Sequence, residues 1–175
     1  MVFVIKDCTI IGGLNQLMKI QLRDNDVNTI DLWKVSTRIL HKKLLDSVPR
    51  ELVVFGARKL NPNLNEGRAN ELLDALLQWM SCIPYAKAQA GKAMQMIETM
   101  DDLWHGFIIN TREYDKFCNE NFGYFIHHGT VNDPERDRKE TAVETYAFLK
   151  EVYGDGIHPE LEILKTGEVK CCYRY

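Results

Sequence analysis

Asp101, His105, His127 and His128 are the residues of this chain whose types and spacing can do chemistry. They fall in DDLWHGFIINTREYDKFCNENFGYFIHH, residues 101–128, which holds three of the five histidines of the sequence, with Trp104, Tyr114 and Cys118 among them. An ordinary apolar core does not need that density of side chains able to ligate a metal or move a proton. A carboxylate one helical turn before a histidine can ligate the same ion, orient the imidazole by accepting its hydrogen bond, or stabilise its cation. Asp101, His105 and one of His127 and His128 make a three-ligand set for a divalent metal, zinc or iron, with an open position for water. Tyr114 is then the candidate proton donor, and Trp104 and Cys118 are candidate pocket walls.

Two other readings of the same residues stay open. One is a functional pocket that works without metal. The other is a structural cluster in which His105 is hydrogen-bonded to Asp101 or Asp102, Tyr114 caps a carbonyl, and Cys118 is a small buried hydrophobe. The spacing matches neither HExxH nor paired CxxC. Phosphate-loop, dinucleotide and hydrolase-elbow motifs are missing from the sequence, so those chemistries gain no support. His41, beside Lys42 and Lys43, reads as part of an exposed face, and His158, before Pro159, as a solvated loop residue.

Such a cluster needs helices to hold it. In a helix over residues 85–108, Glu98, Asp101, Asp102 and His105 share one face. Tyr114 and Cys118, four apart, point the same way from the next helix. Gly123 turns the chain and brings Phe125–His128 back toward the first helix. In an extended segment His127 and His128 face opposite sides, so one of them enters the site. Gly106, directly after His105, lets a ligand or another backbone come close.

The rest of the chain reads as mainly α. Ile30, Trp33, Thr37, Leu40, Leu44 and Val48 recur at three- and four-residue steps until Pro49 stops the helix. ELVVF at 51–55 is a strand or a helical turn, and KLNPNLNEG at 59–67 is loop chemistry. A second helix buries Ala69, Leu72, Leu73, Leu76, Leu77 and Met80. Pro84 fits the first turn of a third, which runs through to Ile108 with Ala86, Ala90, Ala93, Ile97 and Met100 as its stripe. Thr111 caps a fourth, ended by Gly123. Asn132-Asp133-Pro134-Glu135 opens a fifth, with Val143, Tyr146, Ala147 and Leu149 inward, closed by Gly154. Residues 1–24 contain two apolar runs, VFVI and CTII, that are short strands or, for the second, a helix entry. The tail around Thr166-Gly167 suggests a short β-hairpin. The expectation is a single-domain bundle of about five helices. Residues 1–80 form its N-terminal part, 81–156 carry the motif, and 157–175 are a tail.

Composition narrows the function classes. A chain of 175 residues, 45% hydrophobic and 27% charged, is long enough for one real core. A formal charge of −3 offers no global attraction to nucleic acid or an anionic membrane, and no apolar run reaches spanning length. HKK at 41–43 and RDRK at 136–139 read as solvated helix faces. Five irregularly spaced cysteines, Cys171 and Cys172 adjacent among them, read as reduced thiols, and the first residues lack a basic region before their apolar run. The cytoplasm is the expected compartment.

The segment 101–128 resembles the bacterial relatives of plant glycine-rich-domain-containing proteins. They share Asp-x-x-Trp-His, then Thr-x-x-Tyr, then Phe-Cys, then Phe-Gly-x-x-x-His-His. Here the positions are Asp101, Trp104, His105, Thr111, Tyr114, Phe117, Cys118, Phe122, Gly123, His127 and His128. The likeness covers about thirty residues, extends loosely into the following helix and YGDG, and does not reach upstream of about residue 80. It implies a helical domain with a shared Trp-His and His-His constellation and no assigned reaction. The plant members commonly carry a second histidine two residues after the first; this chain has Phe107 there and lacks their glycine-rich region.

A rival function is a non-catalytic protein-interaction module in which the His/Trp cluster only locks two helices together. A phage or mobile-element accessory protein that inhibits a host protein is one form of that rival, with its specificity in the N-terminal half.

Overall fold

A computed structural model describes residues 32–88, 94–128 and 138–167. It is built from α1 (Leu32–Ser47), α2 (Arg50–Leu60), α3 (Glu66–Ser81), α4 (Ile83–Ala88), α5 (Glu98–Ile108), α6 (Thr111–Phe122) and α7 (Arg138–Tyr153). Short 3-10 segments follow at Gly154–Gly156 and Pro159–Thr166. No strand occurs among the described residues, so the mainly α class holds, with more and shorter helices than the periodicity suggests.

α3 is the central rod. Every residue from Ala75 to Cys82 is buried, and so are Leu72, Leu73 and Ala69. A helix buried all round must be surrounded, and α1, α2, α5 and the Pro159–Thr166 segment pack on it. Its start is fixed locally: the Asn65 side chain accepts the Arg68 N–H at 2.9 Å. The α1 stripe packs as its spacing predicts, with Thr37 and Leu44 buried and Trp33, Leu40 and Val48 against the core.

Several expectations need correction. ELVVF is the heart of helix α2, and it buries Val53 and Val54. The helix expected to run from Pro84 to Ile108 is two helices, α4 and α5, and residues 94–97 before α5 belong to neither. The Gln95 N–H bonds to Thr145 Oγ1 at 2.9 Å, and the Gln95 carbonyl accepts from Trp79 Nε1 at 3.0 Å. These tertiary partners replace the helix's own ladder. Ala90 and Ala93 lie outside the described residues.

α7 is rotated from the predicted face. Val143 and Ala147 are exposed, while Ala142, Thr145, Leu149 and Val152 are buried. Thr145 tolerates burial because its hydroxyl donates to Thr141 O at 2.8 Å while accepting from Gln95. The first arm of the expected hairpin is a 3-10 segment in which Leu161 and Leu164, three apart, turn inward, and its second arm lies outside the described residues. Gly154 and Gly167 both take left-handed backbone, at φ 59 and 68. The N-terminal apolar runs, the Asn132–Glu135 cap and Cys171-Cys172 lie outside the described residues.

Candidate metal centre

The site is built on α5, and its seat is the crossing of α5 over α2. A Cβ on Gly56 would collide with the Gly106 carbonyl, and one on Gly106 with the backbone of Gly56 and Ala57. The close approach expected beside His105 is therefore made by another backbone. The Gly106 carbonyl accepts from Asn110 Nδ2 at 2.9 Å, which ties the end of α5 to the start of α6. Asn110, not Thr111, occupies the N-cap position of α6, and Thr111 is its first helical residue.

Asp101 sits one turn before His105, and each of its carboxylate oxygens holds one imidazole. Oδ2 lies 3.2 Å from His105 Nδ1, and Oδ1 lies 2.8 Å from His128 Nε2. Potential donor atoms of all three residues fall within 4.8 Å of one another. The two rings stand 4.5 Å apart, tilted by 44°. The face is open to water: the His105 side chain is 45% exposed, against 21% for Asp101 and 25% for His128.

His128 reaches Asp101 because the chain doubles back after α6. Gly123 takes left-handed backbone at φ 75 and its N–H bonds to Asn119 O, closing the helix. The segment 125–128 then runs alongside α5. Its neighbours alternate as expected: His127 is exposed and lies against Phe125, while His128 turns inward and meets the Trp104 ring edge-on at 4.6 Å.

Behind this face lies a second, buried polar layer. Trp104 Nε1 donates to the Tyr114 hydroxyl at 2.9 Å, and that hydroxyl donates to Ile126 O at 2.7 Å. Cys118, one turn further along α6, is buried beside the Ile126 backbone. Burial pushes the pKa of both Tyr114 and Cys118 above its ordinary value, so both stay protonated.

The single pocket read from the sequence is thus two layers with Trp104 between them. Asp101, His105 and His128 meet at the surface, while Tyr114 and Cys118 lie wholly buried behind. Tyr114, read as a proton donor, spends its proton on a backbone carbonyl. His127 stands outside the cluster. Asp102 turns away to accept from Asn61 Nδ2 at 2.9 Å.

Asn61, Gly56 and Trp79 were missed by the sequence reading. Gly56 alone gave a signal, since a glycine inside an apolar helical run costs about 1 kcal/mol and calls for a packing reason. Trp79 meets Trp104 at 5.5 Å and so extends the aromatic wall inward.

Residues 47–159 match the model of the UCP032817-like family, and the chain belongs to that family. The matched span contains α2, α3, α5, α6 and all three cluster residues, and it reaches upstream of the segment that carries the plant-protein likeness. No curated protein and no solved structure matches the chain.

Proposed function

We propose that this protein binds a single divalent transition-metal ion, zinc or iron, through Asp101, His105 and His128. One observation carries the reading: a single carboxylate holds a ring nitrogen from each of two histidines, on a face open to water. Metal–ligand bonds of about 2.0–2.1 Å at tetrahedral angles place donors about 3.4 Å apart. The separations of 3.2 and 2.8 Å between the carboxylate oxygens and the ring nitrogens are close to that span. On binding, each ring would be neutral, offering one nitrogen to the ion and keeping its proton on the other. Two imidazoles and one carboxylate suit zinc or ferrous iron and leave positions free on the solvent side for water or oxygen. No reaction follows from the donor set alone.

The likeness to the bacterial relatives of plant glycine-rich-domain proteins supports the same constellation, with Asp101, Trp104–His105 and His127–His128 as this chain's members. Cys82 and Cys118 are free thiols, which supports the cytoplasm as its compartment. A second reading, a protein-interaction module, is favoured by α1. Val35 and Ile39, one turn apart, are apolar and exposed on that helix, Ile39 by 65%.

The test is metal content by plasma mass spectrometry on protein purified without a polyhistidine tag or chelator, beside His105→Ala. Near-stoichiometric zinc or iron in the parent, absent from a folded His105→Ala, is the expected result. A parent that stays empty after reconstitution with either ion sinks the metal reading and leaves the interaction module.

A further inference from the structure

One residue of α6 that does not touch the cluster grips a peptide group of the arm that carries His128. Tyr114 donates its hydroxyl proton to the Ile126 carbonyl at 2.7 Å. Cys118, four residues on and therefore on the same helix face, is buried beside the same stretch of backbone. Tyr114 is oriented in turn by Trp104 Nε1 at 2.9 Å, and Trp104 is the residue directly before His105. Ile126 stands two residues before His128, which an extended backbone turns to the same side.

This closes a loop of contacts. α5 supplies Asp101, Trp104 and His105; Trp104 fixes Tyr114; Tyr114 fixes Ile126; and the arm that leaves Ile126 presents His128 to Asp101. The three cluster residues do not all come from rigid helix. Asp101 and His105 are set one turn apart by α5 itself, whereas His128 stands outside any helix, five residues beyond Gly123. Its distance from Asp101 depends on whatever anchors residues 124–128. The aromatic faces around Tyr114 hold that side chain still, with Phe107 at 5.1 Å and Phe125 at 5.1 Å, both edge-on.

We propose that Tyr114 is a positioning residue for the metal centre: it clamps the Ile126 peptide so that His128 completes the ligand set. The inference rests on the metal reading above. It assigns the buried tyrosine a task that proton donation to a substrate does not describe. A clamp of this kind works as outer-shell partners do, by holding a ligand in its binding geometry before the ion arrives, so loss of the grip weakens metal binding without removing a ligand.

The experiment is zinc titration by calorimetry of the full chain as parent and as Tyr114→Phe. Thr145→Val serves as a control that removes a buried hydroxyl pairing α7 to residue 95, away from the cluster. Proton NMR of the His128 ring in the metal-free proteins is recorded beside it. The expected result is a Kd for zinc raised about 10–100-fold in Tyr114→Phe. In Tyr114→Phe the His128 resonances lose the ring-current shift imposed by Trp104, and Thr145→Val changes neither quantity. An unchanged Kd and unchanged His128 resonances in Tyr114→Phe overturn the clamp while leaving the metal site intact. A parent that takes up no zinc fails the metal reading instead. Loss of folding in Tyr114→Phe also overturns the clamp, because the grip would then hold the whole bundle rather than one arm.

Discussion

Gly56 of α2 and Gly106 of α5 meet backbone against backbone, with no room for a Cβ on either side. Fifty residues apart in sequence, they fix the depth at which α5 lies on the bundle, and so the place from which Asp101 and His105 project. Side chains cannot yield at this crossing, because what each new methyl would meet is main chain.

Alanine at either glycine should therefore destabilise the fold by about 1–3 kcal/mol or somewhat more, despite alanine's better helix propensity. Urea unfolding of Gly56→Ala and Gly106→Ala checks this. Stability equal to or above the parent's would mean that the two helices can part without cost.

A second prediction concerns Gln78 on α3. Its side chain donates to Gly156 O at 2.9 Å and accepts the His158 N–H at 2.7 Å, so one buried amide pins the turn that follows α7. Gln78→Leu keeps the bulk and removes both hydrogen bonds, each worth about 0.5–1.5 kcal/mol. The midpoint of thermal unfolding should fall clearly, and amide exchange should quicken first at residues 154–160. A drop of less than about 0.5 kcal/mol would show that water takes over both groups.

A third prediction concerns acid. His41 was expected on an exposed face; instead its Nε2 is buried with no partner among the described residues, and its ring stands edge-on to Tyr153 at 5.5 Å. Burial lowers its pKa from the ordinary 6.5, Asp74 opposes that shift, and His158 adds to it. The folded state thus binds its proton less readily than the unfolded chain does. Stability is full above about pH 6.5 and is lost as the pH falls toward the lower folded value. His41→Phe should flatten that decline between pH 7.5 and 5.5 in urea titrations, relative to the parent. A decline of the same depth in His41→Phe would assign it to other groups.

The site was partly legible because two of its determinants are local. Helical periodicity puts Asp101 and His105 one turn apart, and extended backbone separates His127 from His128. Local rules also placed the turn at Gly123. They could not say that Tyr114 would find the Ile126 carbonyl, since a hydroxyl accepts many partners and the fold selects one. Nor could they show that Asp102, beside Asp101 on the same helix, would be drawn off by Asn61 at the end of α2.

The sequence by itself determined the helices with strong apolar stripes, above all α1 and α3, because burial of a periodic face is a property of the segment. It also determined that Tyr114 and Cys118 share a side of α6. Tertiary structure alone decided that ELVVF is helical, that residues 94–97 stay out of a helix, and that His128 meets Asp101. Each of those outcomes depends on a partner distant in sequence: Gly106 for α2, Trp79 and Thr145 for Gln95, and Tyr114, through Ile126, for His128. A hydrogen bond or a backbone contact between such partners outweighs the local preference of a few residues, and no periodicity records it.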